Sequence, residues 1–267
     1  MTERIIDAHA HIFPAKIAEK AVENIGRFYD LKMHDRGTGD ALIESGKKIG
    51  TERYLVCSVA TRPAQVKSIN DFIWEESELH PEFVPFASLH PYMEDIGAEF
   101  DRILQRRYYG IKLHPDFQEF NIDDERAFEL YRRAEQAGLF ILFHTGDNRY
   151  EYSRPVRLAR ICDRFPDLKC IAAHFGGYQS WDEAFATYNS RNIFMDTSSS
   201  LFTLPKETAL RFIDKFGARQ FFWGTDFPMW KHEAEIARFN ALGLSDEERR
   251  LILAGNFARE VLGEAQG

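Results

Sequence analysis

A chain of 267 residues, 44% hydrophobic and 28% charged, is long enough to bury one large core and too apolar to be disordered. Its formal net charge of -8 opposes a nucleic-acid or anionic-membrane surface, because such partners reward a basic patch, and it points to a small-molecule partner. No run approaches the roughly 18 apolar residues of a membrane span, the first dozen residues lack a signal-peptide core, and Cys57, Cys162 and Cys170 form no Cys-x-x-Cys pair, so the expectation is a cytoplasmic protein with buried thiols.

Short apolar runs alternate with amphipathic ones along the whole chain. Strands are predicted at residues 5–9, 54–59, 83–89, 110–114, 140–144, 169–174, 193–197 and 220–225. Helical patterns fall between them. Residues 63–79 open on Pro63, residues 123–137 are followed by Gly138, and residues 205–216 are followed by Gly217, all expected helix boundaries. Eight strand–helix alternations predict an α/β fold, a (β/α)8 TIM barrel forming a single domain over residues 1–267. Residues 13–50 exceed one helix, with two helical patterns around the polar stretch 27–38, and read as an insertion after the first strand, a helix plus a loop over the mouth. Residues 245–262 read as one or two closing helices.

The first strand carries Asp7-Ala8-His9-Ala10-His11. Side chains alternate in a strand, so Asp7, His9 and His11 share one face and two imidazoles converge. Alone, that pair also suits two surface histidines. The later strands change the weighting, because His90, His114, His144, His174 and Asp226 all fall at predicted strand ends. From His90 the histidines are spaced 24, 30 and 30 residues apart, each about one βα unit, and Asp226 follows 52 later. Barrel active sites lie at that end of the strands, so a ring of such residues reads as a site. Three imidazoles and a carboxylate suit a zinc-class dication that leaves room for an activated water. Lys112 and Arg62, each at a strand end, offer cations for a substrate carboxylate. His114 and His90 complete the candidate substrate-binding set. Asp7 reads either as support for a ligand imidazole or as a carboxylate bonded to backbone.

This pattern resembles the amidohydrolase superfamily, and within it the amidohydrolase-related group of metal-dependent decarboxylases and lactone hydrolases. The matching stretches are Asp7 to His11, Gly110-Ile111-Lys112-Leu113-His114-Pro115, His144-Thr145-Gly146, Ala173-His174-Phe175-Gly176-Gly177 and Gly224-Thr225-Asp226-Phe227-Pro228. The resemblance implies that His9, His11, His144 and Asp226 ligate one divalent metal, zinc first and manganese as the alternative. It makes His174 an acid/base or polarising group, and Asp226 both ligand and proton acceptor. A second metal, held by His174 and a carboxylated Lys112, is disfavoured because His114 follows the lysine on the same face. The expected activity is hydrolysis of an amide, ester or lactone of a small carboxylate-bearing compound. The alternatives are non-oxidative decarboxylation of a small, possibly aromatic, acid and a barrel that only binds. Association into a homo-oligomer is left open.

Overall fold

The computed structural model describes residues 3–189 and 192–265. In chain order they form β1 (Ile5–His11), α1 (Ala15–Tyr29), α2 (Gly39–Lys47), β2 (Thr51–Cys57), α3 (Val66–Leu79), β3 (Phe83–Ser88), α4 (Ile96–Gln105), β4 (Gly110–Leu113) and α5 (Pro115–Gln118). There follow α6 (Phe128–Ala137), β5 (Phe140–Phe143), α7 (Pro155–Arg164), β6 (Cys170–Ala172), α8 (Trp181–Thr187), β7 (Ile193–Asp196), α9 (Lys206–Phe216), β8 (Phe221–Phe222) and α10 (His232–Asn240). The chain closes with α11 (Asp246–Arg250), a wider π-helical turn (Leu251–Gly255) and α12 (Asn256–Glu260).

The eight strands form one sheet in the order β1 to β8, with parallel pairing and helices between successive strands. Helical crossovers demand parallel neighbours, and β3 to β8 are buried throughout, which is why they read as largely apolar runs. β8 returns to β1. Ala8 N–H donates to the Trp223 carbonyl at 2.9 Å, Asp226 N–H to His9 at 2.8 Å and His11 N–H to Phe227 at 2.7 Å. This is the (β/α)8 TIM barrel that the alternation predicts. Among the described residues no helix is long and apolar enough to cross a membrane.

The chain divides into two compact units, one of Met1–Cys57, Glu76–Val84 and Thr197–Gly267, the other of Ser58–Glu75 and Pro85–Asp196. In the first unit, residues 13–50 hold two helices rather than a helix and a loop. α1 buries Ala18, Val22 and Gly26, a row four residues apart on one face. α2 starts on Thr38, whose hydroxyl accepts from Ala41 N–H at 3.4 Å. The polar segment between them is pinned where Phe13 N–H donates to the Gly37 carbonyl at 2.8 Å. Side by side in β1 and β2, His11 pairs with Cys57.

In the second unit two buried amides fasten strand ends. Asn70 of α3 accepts from Ser88 N–H at 2.7 Å and donates to the Ser88 carbonyl at 3.0 Å, as a neighbouring strand would. Gln118, at the end of α5, donates to the Ala60 and Leu89 carbonyls at 2.9 and 2.7 Å and accepts from His114 N–H at 2.9 Å. One side chain thus satisfies the backbone beyond β2, β3 and β4, where sheet pairing has ended and water is excluded. The three cysteines are buried and free, with Cys162 and Cys170 thiols 3.8 Å apart.

Replacing Gln118 by Leu orphans two buried carbonyls and one amide at little cost in volume. It is expected to destabilise the protein by about 3 kcal/mol or more, lowering Tm by roughly 6 °C or more. Thermal unfolding followed by circular dichroism checks this; an unchanged Tm would show that the strand ends are satisfied without the amide.

Candidate functional site

In the first unit, β1 and the segment after β8 bring three of the predicted residues together. His9 Nε2 and His11 Nε2 are 3.2 Å apart, and Asp226 Oδ1 lies 3.4 Å from His11 Nε2 and 3.7 Å from His9 Nε2. A tetrahedral ion with bonds of about 2.0–2.1 Å needs donor atoms about 3.3–3.4 Å apart. Two of the three separations fall at that spacing and the His9–Asp226 one, at 3.7 Å, is slightly wider, and the donor set of two imidazoles and a carboxylate is one that zinc accepts.

Backbone close approach makes this group. A Cβ on Gly224 would sit 3.0 Å from the His9 Cβ and 3.2 Å from its nitrogen, so a larger residue would have to push the two segments apart by a few tenths of an ångström. Two residues on, Asp226 adopts a left-handed conformation, φ 58°, uncommon for a side-chain-bearing residue. Each imidazole is held from behind. His9 Nδ1 is 3.0 Å from Ser198 Oγ, and His11 Nδ1 is 3.6 Å from Cys57 Sγ, whose thiol donates to the Ala10 carbonyl at 3.5 Å. With a proton on each Nδ1, both Nε2 lone pairs face the group, as ligation requires. Asp226 Oδ2 accepts from Ser199 Oγ at 2.6 Å.

Asp7 supports neither imidazole. Its carboxylate accepts from His9 N–H and Thr225 N–H, both at 3.0 Å, and from the Thr225 hydroxyl at 2.6 Å. His232 Nε2 lies 3.0 Å from Oδ2, off the line of a hydrogen bond. Asp7 therefore ties β1 to the β8 end. Nearby, burial pushes the Glu235 carboxyl up to about 8 despite Arg238 beside it.

The second unit holds the remaining predicted residues. His144 Nδ1 and His174 Nε2 are 3.0 Å apart and share a hydrogen bond. His174 and Phe175 are left-handed, φ 62° and 52°, and His174 N–H donates to Asp196 Oδ1 at 3.1 Å, while Trp181 Nε1–H caps its carbonyl at 2.9 Å. Gly146 is required here: at φ 87°, a Cβ on it would meet Gly177 backbone at 2.5 Å. His114 is stacked between Phe117 and His144, with centroids 3.8 and 4.0 Å away.

His114, Asp116 and His144 also bring potential ligand atoms within 4.8 Å of one another. Geometry argues against an ion there. His114 Nδ1 accepts from Phe117 N–H at 3.3 Å, which puts the imidazole proton on Nε2, and rings stacked within 7° point their nitrogens in parallel rather than at one point. Asp116 is buried, 3.7 Å from His144 Nε2. Burial, reinforced by the Asp147 charge and only partly offset by the Ser153 hydroxyl, pushes its carboxyl up to about 7.

Lys112 is fully buried on β4, paired with Ser88 and Leu142. Arg62 is exposed at the turn after β2, its N–H donating to Gln65 Oε1 at 3.0 Å. His90 is buried, and its Nδ1 accepts from Tyr92 N–H at 3.2 Å, so this ring, like His114, holds the turn that follows its strand. Sequence reading missed Ser198, Ser199, Asp196 and Asp116. A signal existed for three of them: Asp196-Thr197-Ser198-Ser199-Ser200 is a polar run at a strand end, where catalytic barrels place function. Asp116 had none beyond lying two residues after His114.

A (β/α)8 fold with a histidine–histidine–carboxylate group beyond its strand ends is an enzyme-type barrel whose residues could hold a metal ion. The chain belongs to the amidohydrolase family, whose family model matches residues 6–263. No curated protein matches it by sequence. Solved structures share its fold. An uncharacterized TIM-barrel protein from Bordetella bronchiseptica has a TM-score of 0.81 at 19% identity, covering 97% of this chain and 98% of that one. A dihydroxybenzoic acid decarboxylase from Polaromonas sp. JS666, with bound manganese and the inhibitor 2-nitroresorcinol, has a TM-score of 0.73 at 15% identity, covering 98% of each chain. A putative 2-pyrone-4,6-dicarboxylic acid hydrolase from Pseudomonas putida has a TM-score of 0.71 at 16% identity, covering both chains fully.

The raised carboxyl of Asp116 gives a pH test on the metal-free protein. An acid with a folded pKa near 7, against 3.8 for the ordinary group, binds its proton more tightly when folded. Stability therefore falls as pH rises from about 4 to 7 and levels off above. Asp116→Asn removes that slope and is expected to be more stable than the wild type at pH 8 by up to a few kcal/mol, with the advantage vanishing near pH 4. Urea unfolding at both pH values checks it.

Proposed function

We propose that this chain is a metal-dependent hydrolase that cleaves an amide, ester or lactone bond in a small carboxylate-bearing compound. The observation that carries the reading is the Asp226 carboxylate, with Oδ1 held 3.4 and 3.7 Å from two imidazole nitrogens whose other faces are already bonded. His9, His11 and Asp226 would hold the divalent ion, zinc or manganese, and the family pattern adds His144. When bound, such an ion polarises a carbonyl and lowers the pKa of water.

The chain's own residues supply the rest. Asp226 accepts a proton at its carboxylate, beside the ligand nitrogens. His174, held by Asp196 through its backbone, gives or polarises with an imidazole rather than by ligation. Lys112 and Arg62 bind the substrate carboxylate as cations, the guanidinium with a fork of donors. A second reading, non-oxidative decarboxylation, is favoured by the likeness to the decarboxylase along 98% of both chains. It asks the same residues for less, since no water attacks: the carboxylate is oriented and an acid protonates the carbon left behind.

Two outcomes are expected of the purified protein. Elemental analysis should find about one divalent metal per chain; His9→Ala and His11→Ala should lose it, while His174→Ala keeps most of it and loses turnover by roughly 10²-fold or more. Loss of the metal from His174→Ala would reassign that residue as a ligand. Carboxylated lactones, esters and amides, assayed beside hydroxybenzoate-type acids with a pH-stat and carbon dioxide detection, should show metal-dependent hydrolysis. Carbon dioxide release with no hydrolysis across the panel would establish the second reading instead.

A further inference from the structure

The two oxygens of Asp226 have different fates. Oδ1 faces the imidazole nitrogens of His9 and His11, while Oδ2 lies 2.6 Å from Ser199 Oγ. The Ser199 hydroxyl has one proton and two acceptors in reach, Asp226 Oδ2 and the Met229 thioether at 3.3 Å. A carboxylate forms a short, charge-assisted hydrogen bond and a thioether is a weak acceptor, so the proton goes to Asp226. Trp230 completes the direction: its indole N–H donates to Ser199 Oγ at 2.9 Å, filling a lone pair and leaving the hydroxyl little freedom to rotate.

Trp230 is itself fixed. Arg238 lies over its ring at 4.5 Å, Phe202 packs at 4.8 Å and His34 stacks at 5.4 Å. Ser199 is 2% exposed, and Asp226 and Trp230 8% each, so water does not compete for these bonds. All of these residues lie in the first unit.

We propose that Ser199, aimed by Trp230, is a positioning residue that keeps Asp226 a one-oxygen ligand. With Oδ2 held by the hydroxyl, the carboxylate does not rotate to offer both oxygens to an ion, and the coordination place that a second oxygen would take stays available to substrate or water. The inference rests on the reading that His9, His11 and Asp226 hold the metal.

Cobalt(II) alone, loaded into the purified protein, tests it without a substrate. Ser199→Ala keeps the Cβ, so the backbone strain at φ 44° is unchanged and only the hydroxyl is lost. The visible cobalt bands of Ser199→Ala are expected to weaken at least twofold, the mark of a raised coordination number, and zinc affinity by chelator competition to change about tenfold or more. Trp230→Phe, which keeps an aromatic side chain but removes the indole N–H, is expected to move both readouts the same way by a smaller factor. A merely structural role for Ser199 would lower Tm and leave the spectrum of the folded protein alone. Should Ser199→Ala not fold, Trp230→Phe decides: a wild-type spectrum there overturns the proposal, as do wild-type spectra and affinities within twofold in both variants. His9→Ala and Asp226→Ala separate the two levels. If they still take up cobalt as the wild type does, the metal reading has failed; if they lose it while Ser199→Ala matches the wild type, only the positioning role has.

Discussion

The Asp7 carboxylate is the contact on which the first unit's candidate site depends. It accepts the Thr225 amide and hydroxyl and the His9 amide, all in a buried setting, and so holds the β8 end against β1. Hydrogen bonds to a buried carboxylate are among the stronger ones available to a fold, and an orphaned carboxylate there would be costly, so the arrangement is fixed rather than merely favoured. One residue beyond Thr225, Asp226 is delivered to His9 and His11. The structural anchor and the chemical group are thus built from two short segments, residues 7–11 and 225–226.

Once that junction is set, the surrounding polar residues have defined tasks. Ser198 and Cys57 turn the two imidazoles, Ser199 holds one carboxylate oxygen, and Gly224 makes room. Four of the eight left-handed non-glycine residues among those described lie in the same segments: Ser199 and Asp226 in the first unit, His174 and Phe175 in the second. Side-chain-bearing residues adopt that conformation at a cost, and a structure keeps it where neighbouring hydrogen bonds over-determine the backbone. His174 shows the point, with its N–H on Asp196 and its carbonyl on Trp181.

The second unit separates histidines that look alike in sequence. His144 and His174 share a hydrogen bond at 3.0 Å, whereas His114 and His90 each accept a backbone N–H two or three residues on and serve as turn caps. Asp116 stands apart as a buried carboxyl that burial pushes up to about 7, destabilising to the fold near neutral pH. A structure retains such a group only where something else offsets its cost.

Alternation of short apolar runs with amphipathic ones was enough to determine eight parallel strands in order, because a helix between strands admits only a parallel neighbour and each element's period is local. Strand parity likewise determined that His9 and His11 share a face, whereas Asp226, expected at the end of the last strand, lies in a left-handed turn four residues beyond β8. Periodicity said nothing of which partner a side chain meets. That Asp7 bonds Thr225 and not an imidazole, and that Cys57 backs His11, follow from contacts between segments far apart in the chain. Only the tertiary structure decided them, because a hydrogen bond depends on distance and direction to about half an ångström, and no spacing along a sequence carries that.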